Sequence, residues 1–202
     1  MDVRSLSGGR LQGSNSMPTA GSPTIYTLGP EGTNCATAAQ WWLDSRGDSK
    51  ASGVTAPRIV LHETLEQAFD ELAEKQDGYL LSCAAYPDLH TLIFTRLGDM
   101  ELCDSFIMPT HSMVLASRTS ANRIKSVATH PAPQSLVASQ YHKVFANSNA
   151  DAAVLCSTGK ADACVTTVVA ADRHELNVVQ DFGQVPMAFL VHSLKRADHA
   201  QG

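Results

Sequence analysis

Long apolar runs are missing from this chain of 202 residues. Nothing in it approaches the roughly 20 consecutive apolar positions of a membrane-spanning helix. Positive charge is also scarce: 15 Lys and Arg stand against 20 Asp and Glu, for a net charge of −5. With no dense Lys/Arg stripe, a nucleic-acid partner is not expected, and an anionic ligand would have to be met by a few local groups. The five cysteines (Cys35, Cys83, Cys103, Cys156 and Cys164) are odd in number and show no CxxC spacing. Four lie in apolar stretches, where a free thiol behaves as a small hydrophobe, and a reducing cytoplasm is the expected setting. The eight histidines show neither HxxxH nor HxH spacing, so no metal and no cofactor is expected. Residues 1–23 are rich in Gly, Ser and polar side chains and lack an apolar core segment. They read as a flexible leader rather than a signal peptide.

What is present is ordinary globular material, 44% hydrophobic and 17% charged. That is enough for one large domain or two small lobes with real cores. Strand-like runs at 24–28, 58–62 and 78–83 alternate with amphipathic helical patterns at 33–44 and 64–72. In the helical patterns Ala36, Ala39, Trp42 and Leu43 share one face; Thr64 and Gln67 form a capping box ahead of Leu65, Ala68, Phe69 and Leu72. A second block follows, with strands at 111–117, 124–129, 144–147, 161–166, 178–181 and 188–192. Its helices are expected on Leu136, Val137, Gln140, Tyr141 and Val144, and from Ser148 to about Thr158 with Gly159 as the stop. The alternation predicts an α/β protein with mainly parallel sheet.

The stretch Thr27-Leu28-Gly29-Pro30-Glu31-Gly32-Thr33 joins a strand to a helix through two glycines. Glycine lets the backbone turn sharply, Thr33 suits an N-cap, and first-turn amides behind it would face an anion. The run TLGPEGTNCATAA resembles the opening motif of prephenate dehydratase catalytic domains. Thr129-His130-Pro131 and Asn147-Ser148 before Ala150-Asp151-Ala152-Ala153 match that family in the same order. The resemblance covers roughly 24–193, and within the prephenate dehydratase-like family the chain looks most like the prephenate decarboxylases of bacilysin-type antibiotic biosynthesis. It implies a two-lobed fold of the type II periplasmic-binding-protein kind with the site in the cleft. Lobe 1 is then about 24–107 plus 186–193 and lobe 2 about 108–185, with 194–202 a tail. It also implies prephenate as the small-molecule partner, and, since related catalytic domains often pair, a homodimer.

In the dehydratases a Thr-Arg-Phe motif places its threonine at the departing hydroxyl and its arginine on the substrate. Laid on that motif, this chain has Met187, Ala188 and Phe189. Met187 cannot donate a proton and Ala188 cannot hold a carboxylate, so loss of the 4-hydroxyl lacks its acid. The family's Glu-Asn-Ser loop is replaced by Ala85, Tyr86 and Pro87. The resemblance thus implies a carbon–carbon lyase: decarboxylation of prephenate to a non-aromatic dihydro-4-hydroxyphenylpyruvate. The acid must then lie over the ring, with Tyr86, His111 and His130 as catalytic candidates. Thr33, Asn34, Cys35, Asn147, Ser148 and Met187 are candidate substrate contacts. Arg96, matched by an arginine in the decarboxylases, is the candidate carboxylate clamp, with Arg118 a weaker one. A surface salt bridge is the alternative for Arg96, and a core histidine for His111. Two other readings stay open: a prephenate dehydratase giving phenylpyruvate, and a non-catalytic binding module of the same fold. The chain ends soon after the matched region, so the regulatory ACT domain common in dehydratases is not expected.

Overall fold

The computed structural model describes residues 23–46, 58–118 and 124–195; the expected leader and most of the tail lie outside them. Two units divide the chain. Unit 1 takes 23–29, 35–46, 58–108 and 187–195 of the described residues, and unit 2 takes 30–34, 109–118 and 124–186.

Unit 1 begins with β1 (Thr24–Leu28), α1 (Asn34–Ser45), β2 (Arg58–His62) and α2 (Leu65–Lys75). It goes on through β3 (Tyr79–Cys83), α3 (Leu89–Thr95) and β4 (Met100–Pro109), and takes back the last strand, β10 (Pro186–Leu194). The sheet order is β2-β1-β3-β10-β4. β1 runs parallel to β2 and β3, and β10 lies antiparallel to β3 with Phe189 opposite Cys83. Apolar residues at i, i+3, i+4 and i+7 bury one face of α2: Leu65, Ala68, Phe69 and Leu72. Each such fully buried Leu or Phe contributes about 1.5–3 kcal/mol. Thr64 starts the helix by accepting the Gln67 N–H at 3.2 Å, the expected capping contact. Gln76 ends it in the left-handed region at φ 55°.

α1 is fixed by Trp42, which is 1% exposed. Its indole N–H donates to Asp104 Oδ2 at 2.9 Å, the Tyr79 ring meets it edge-on at 5.2 Å, and Arg46 lies 4.5 Å over its face. The nearly buried Asp104 carboxylate is therefore met by a donor, as burial of a charge requires. Between α2 and β3, Gly78 is obligatory: at φ +96° a Cβ would stand 2.1 Å from the Thr24 carbonyl oxygen.

Unit 2 contains β5 (Met113–Ser117), β6 (Ser126–Thr129), a 3₁₀ turn at Gln134–Leu136 and β7 (His142–Phe145). α4 (Asn149–Ser157), β8 (Ala163–Thr167), α5 (Val168–Arg173) and β9 (Asn177–Gly183) complete it. Its order, β7-β6-β8-β5-β9, repeats that of unit 1: a parallel trio flanked by an antiparallel strand from elsewhere in the chain and then an edge strand. Each sheet is thus mixed rather than mainly parallel. On one side of the sheet the core is built mainly from small side chains: Ala116, Ala128, Ala152, Ala153, Cys156 and Cys164 are all fully buried; a second cluster holds Met113, Leu115, Ile124, Val127 and Val165.

The helix expected on Leu136, Val137, Gln140, Tyr141 and Val144 does not form. Pro131 and Pro133 leave room for one 3₁₀ turn, Val137 is extended at φ −81°, ψ 117°, and β7 starts at His142. Val137 is buried in a cluster with Val127 and Val165 while Gln140 is exposed, so the apolar spacing served an extended turn. The sequence reading also passed over α3, α5 and the ten-residue β4.

Candidate functional site

In unit 1 the carboxyl ends of β1 and β3 bring four elements together. Cys35, in the first turn of α1, is 5% exposed and packs in a cluster with Leu81 and Phe189; Cys83, Leu28 and Met187 border it. The Cys35 and Cys83 thiols act on each other's protonation. That interaction is the largest influence on both groups, holding Cys83 down at about 7 and pushing Cys35 well above the usual thiol range. The Tyr86 N–H donates to the Cys83 backbone carbonyl at 3.1 Å and closes the turn. The turn after β3 is tied to β10 by the Ala84 N–H, which donates to the Ala188 carbonyl at 2.9 Å. Cys35 and Met187 thus belong to one apolar cluster.

Tyr86 and Arg96 are placed elsewhere in unit 1. Tyr86 packs on the cluster formed by Tyr26, Leu65 and Leu89, and its hydroxyl donates to Glu66 Oε2 of α2 at 2.7 Å. Burial and this carboxylate push its pKa up to about 12. Arg96 follows α3, pairs with Asp70 at 3.0 Å and lies 4.9 Å over the Phe69 ring. Both side chains serve to dock α2, and the guanidinium is already committed, which matches the salt-bridge alternative.

Unit 2 holds Thr33, Asn34, His111, His130, Asn147 and Ser148. Asn34 and His111 are brought together: the Asn34 side-chain oxygen accepts the His111 backbone N–H at 2.9 Å. His111 does not begin a strand but precedes β5, in the crossover from β4. That crossover is held by Thr110, whose N–H donates to the Val185 carbonyl at 2.9 Å, and by Ser112, whose carbonyl accepts the Val168 N–H at 2.8 Å. His130 follows β6, and its Nδ1 accepts the Ala132 N–H at 3.2 Å, so the ring proton of the neutral form sits on Nε2. Burial lowers its pKa below the ordinary histidine value. Ser148 caps α4 by accepting the Asp151 N–H at 3.0 Å, and Asn147 beside it is exposed.

The Gly-Pro-Glu-Gly turn has an occupant of its own. Gly32 has φ +80°, and a Cβ there would come within 3.3 Å of the Arg173 guanidinium, which donates to the Glu31 carbonyl at 3.2 Å. The close approach permitted by this glycine is thus used by α5. A cavity of about 90 Å³ beside it is lined by Pro30, Asp151, Val154, Arg173 and His174. That is well below the roughly 300 Å³ at which small-molecule pockets begin. No group of three or more metal-ligating side chains occurs among the described residues.

Two residues at these strand ends were missed in the sequence. Cys83 looked like any cysteine in an apolar run. Thr167 caps α5 through the Ala170 N–H at 3.2 Å, yet it is followed by Val-Val-Ala, which carries no helix signature.

With this geometry in hand, the fold is that of the prephenate dehydratase catalytic domain and of Venus-flytrap periplasmic domains. The prephenate dehydratase from Arthrobacter aurescens, solved with L-Phe, superposes with a TM-score of 0.62 at 17% identity over 86% of this chain and 61% of that one. The periplasmic VFT2 domain of Bordetella pertussis BvgS gives 0.53 at 16% identity, over 86% and 80%. GqqA, described as a novel type of quorum-quenching acylase, gives 0.58 at 15%, over 86% and 65%. In sequence the chain is similar to the prephenate decarboxylase of Bacillus subtilis, 26% identical over 82% of this chain and 84% of that protein. The prephenate decarboxylase of Bacillus amyloliquefaciens matches to the same extent. No family model matches the chain.

Proposed function

We propose that this protein is a prephenate decarboxylase, a carbon–carbon lyase that releases carbon dioxide and leaves the ring non-aromatic. The observation that carries the reading is Met187. The position at which dehydratases place a hydroxyl is filled here by a thioether bordering the Cys35 cluster, and the next residue, Ala188, has no charge. An apolar wall of this kind has no acid with which to expel the 4-hydroxyl. The similarity to two Bacillus prephenate decarboxylases along more than four fifths of the chain supports the same conclusion.

In this reading the bond between ring and carboxylate breaks and its electron pair enters the ring. The alkene shifts, and a proton is added at the far alkene carbon. We assign that proton to His111. Tyr86 is bound to Glu66 with its pKa raised to about 12, and burial holds His130 uncharged, leaving its Nε2–H as a hydrogen-bond donor to substrate. Pinning of the His111 backbone by Asn34 supports its role. First-turn amides behind Thr33 and Ser148, with the Asn34 and Asn147 side-chain amides, are suited to the substrate carboxylates. Cys35 and Met187 act as wall contacts. No helix among the described residues is long and apolar enough to cross a membrane. We place the enzyme in the cytoplasm, acting on free prephenate without a cofactor.

Incubation with prephenate tests the reading: carbon dioxide should appear without the absorbance of phenylpyruvate. Phenylpyruvate as the main product would make the protein a dehydratase, and intact prephenate would make it a binding module. His111→Gln should lower kcat by roughly 10²–10⁴-fold, the range of general acid catalysis, with KM little changed. Arg96→Ala should leave KM unchanged, because its guanidinium is held by Asp70. The double variant Met187→Thr, Ala188→Arg should divert a minor fraction of prephenate to phenylpyruvate.

A further inference from the structure

Five residues of the joint between β1 and α1, Pro30 to Asn34, belong to unit 2, although Gly29 before them and Cys35 after them belong to unit 1. Within unit 2 this short segment is gripped at two points. At one end the Arg173 guanidinium donates to the Glu31 carbonyl at 3.2 Å and stands against Gly32, where a Cβ would come within 3.3 Å of it. At the other end the Asn34 side-chain oxygen accepts the His111 N–H at 2.9 Å. The turn between them is closed by the Thr33 N–H, which donates to the Pro30 carbonyl at 3.3 Å. Arg173 is the last residue of α5, and the same helix opens with the Val168 N–H donating to the Ser112 carbonyl at 2.8 Å, one residue beyond His111. These contacts close a ring. It runs from α5 to Ser112 and His111, from His111 to Asn34, back along the turn to Glu31, and from Glu31 to Arg173 on α5.

We propose that Arg173 is a positioning residue for the reaction, acting through this ring on the first-turn amides behind Thr33 and, by way of Asn34, on His111. The chemistry of the proposal rests on the decarboxylase reading, and its geometry rests on the ring alone. Arg173 meets a backbone carbonyl rather than a reacting group, so its effect is exerted through the turn. A helix of six residues spans about 9 Å, which makes α5 a short strut between the two ends of the ring. Thr167 caps that strut by accepting the Ala170 N–H at 3.2 Å, so the helix is started by a contact other than Arg173. A guanidinium on a carbonyl is a charge-assisted bond, stronger than a neutral one. Without it the ring is open, and the turn carrying Thr33 and Asn34 is freer to move against His111. Misplacing a catalytic group by about 1 Å is enough to cost roughly 100-fold in rate, so a link of this kind matters without touching substrate.

Two measurements on the full-length protein separate the geometry from the chemistry. Amide hydrogen exchange followed by NMR reads the ring and needs no substrate. In Arg173→Met the His111 N–H should exchange roughly tenfold faster, as loss of a hydrogen bond from a charged group implies. The Leu176 N–H, which donates to the Ala171 carbonyl at 2.9 Å just beyond α5, should keep its wild-type rate. Kinetics with prephenate read the positioning. In Arg173→Met kcat/KM should fall roughly tenfold, and this loss should not add to that of Asn34→Ala, because both substitutions open the same ring. Arg173→Lys, which keeps a cationic donor, should recover part of both the protection and the activity. His111 exchange that is unchanged in Arg173→Met would overturn the proposal. So would exchange accelerated at His111 and Leu176 together, which would mean that α5 itself had loosened, and so would strictly additive losses. Arg173 is exposed, so its substitution leaves the core intact; Arg173→Gln, neutral and shorter, repeats the comparison if Arg173→Met does not fold. Prephenate left intact by the wild type would end the decarboxylase reading, and exchange at His111 would still decide whether Arg173 holds this turn.

Discussion

The two units repeat one strand order and seat their helices on it in opposite ways. In unit 1 the connection from β1 to β2 carries a twelve-residue helix whose Trp42 is fully buried, and Tyr26, Phe69 and Phe189 complete a core of large side chains. In unit 2 the equivalent connection, β6 to β7, is a single 3₁₀ turn, and α4 and α5 lie on their sheet through Ala152, Ala153, Ala170 and Ala171. One sheet order can thus be stabilised by a few anchored large residues or by many small ones that let helices approach closely. The first arrangement is vulnerable to truncation. The second is vulnerable to added volume, because close-packed interiors have no room to give.

Truncation in unit 1 should have the largest effect. Trp42→Ala removes the indole, its hydrogen bond to Asp104 and the stack with Arg46, and should cost about 3–5 kcal/mol in a denaturant titration. A loss below 1 kcal/mol would mean that α1 is held by something other than its anchor. The converse substitution belongs in unit 2. Ala152→Leu, which adds three carbons at a fully buried position on α4, should cost about 1–3 kcal/mol. If it proved neutral, the small-residue core would be loosely packed and the contrast between the units would fail.

Helix caps sharpen the comparison by removing volume from the question. Thr64 in unit 1 and Ser148 in unit 2 each accept one amide N–H, at 3.2 and 3.0 Å. Thr64→Ala and Ser148→Ala should each cost about 1 kcal/mol, equally in the two units. A much larger kinetic than stability effect for Ser148→Ala would mark that cap as a substrate contact.

Acid should separate the units by the smallest margin. His192 on β10 is 4% exposed, its Nδ1 has no hydrogen-bond partner, and burial lowers its pKa; His130 is lowered for the same reason but is only partly buried. Above pH 6.5, the ordinary histidine value, both rings are neutral in folded and unfolded chains and cost nothing. Below it the unfolded chain takes up protons that the folded one refuses, so stability falls as pH drops through the folded-state values. His192→Leu should flatten the decline between pH 6.5 and 5 more than His130→Asn does. An unchanged slope in His192→Leu would show that the buried ring finds a partner once protonated.

Elements carried by local signals were legible in the sequence. Examples are α2, with its cap and four-residue apolar face, the turn through Gly32, and α4 behind Ser148. That residue 187 carries a thioether and no hydroxyl was legible too, because it depends only on residue type. The segment at 134–144 was misread because apolar spacing is the same whether a helix or an extended turn buries Val137. The choice was made by β7 pairing with β6, a contact that no local pattern encodes.

The sequence by itself thus determined the alternating elements, the turns that need glycine, and the absence of a hydroxyl acid at residue 187. These follow from backbone sterics and side-chain chemistry within a few residues. Tertiary structure alone decided which candidates share a wall. Tyr86 and Arg96 were drawn to Glu66 and Asp70 on α2, 20 and 26 residues away, while Cys83 packed on the cluster that holds Cys35, and Asn34 met the backbone of His111, 77 residues on. A charged or polar group takes the best partner that folding brings within about 3 Å, and that partner is set by strand order, not by sequence distance.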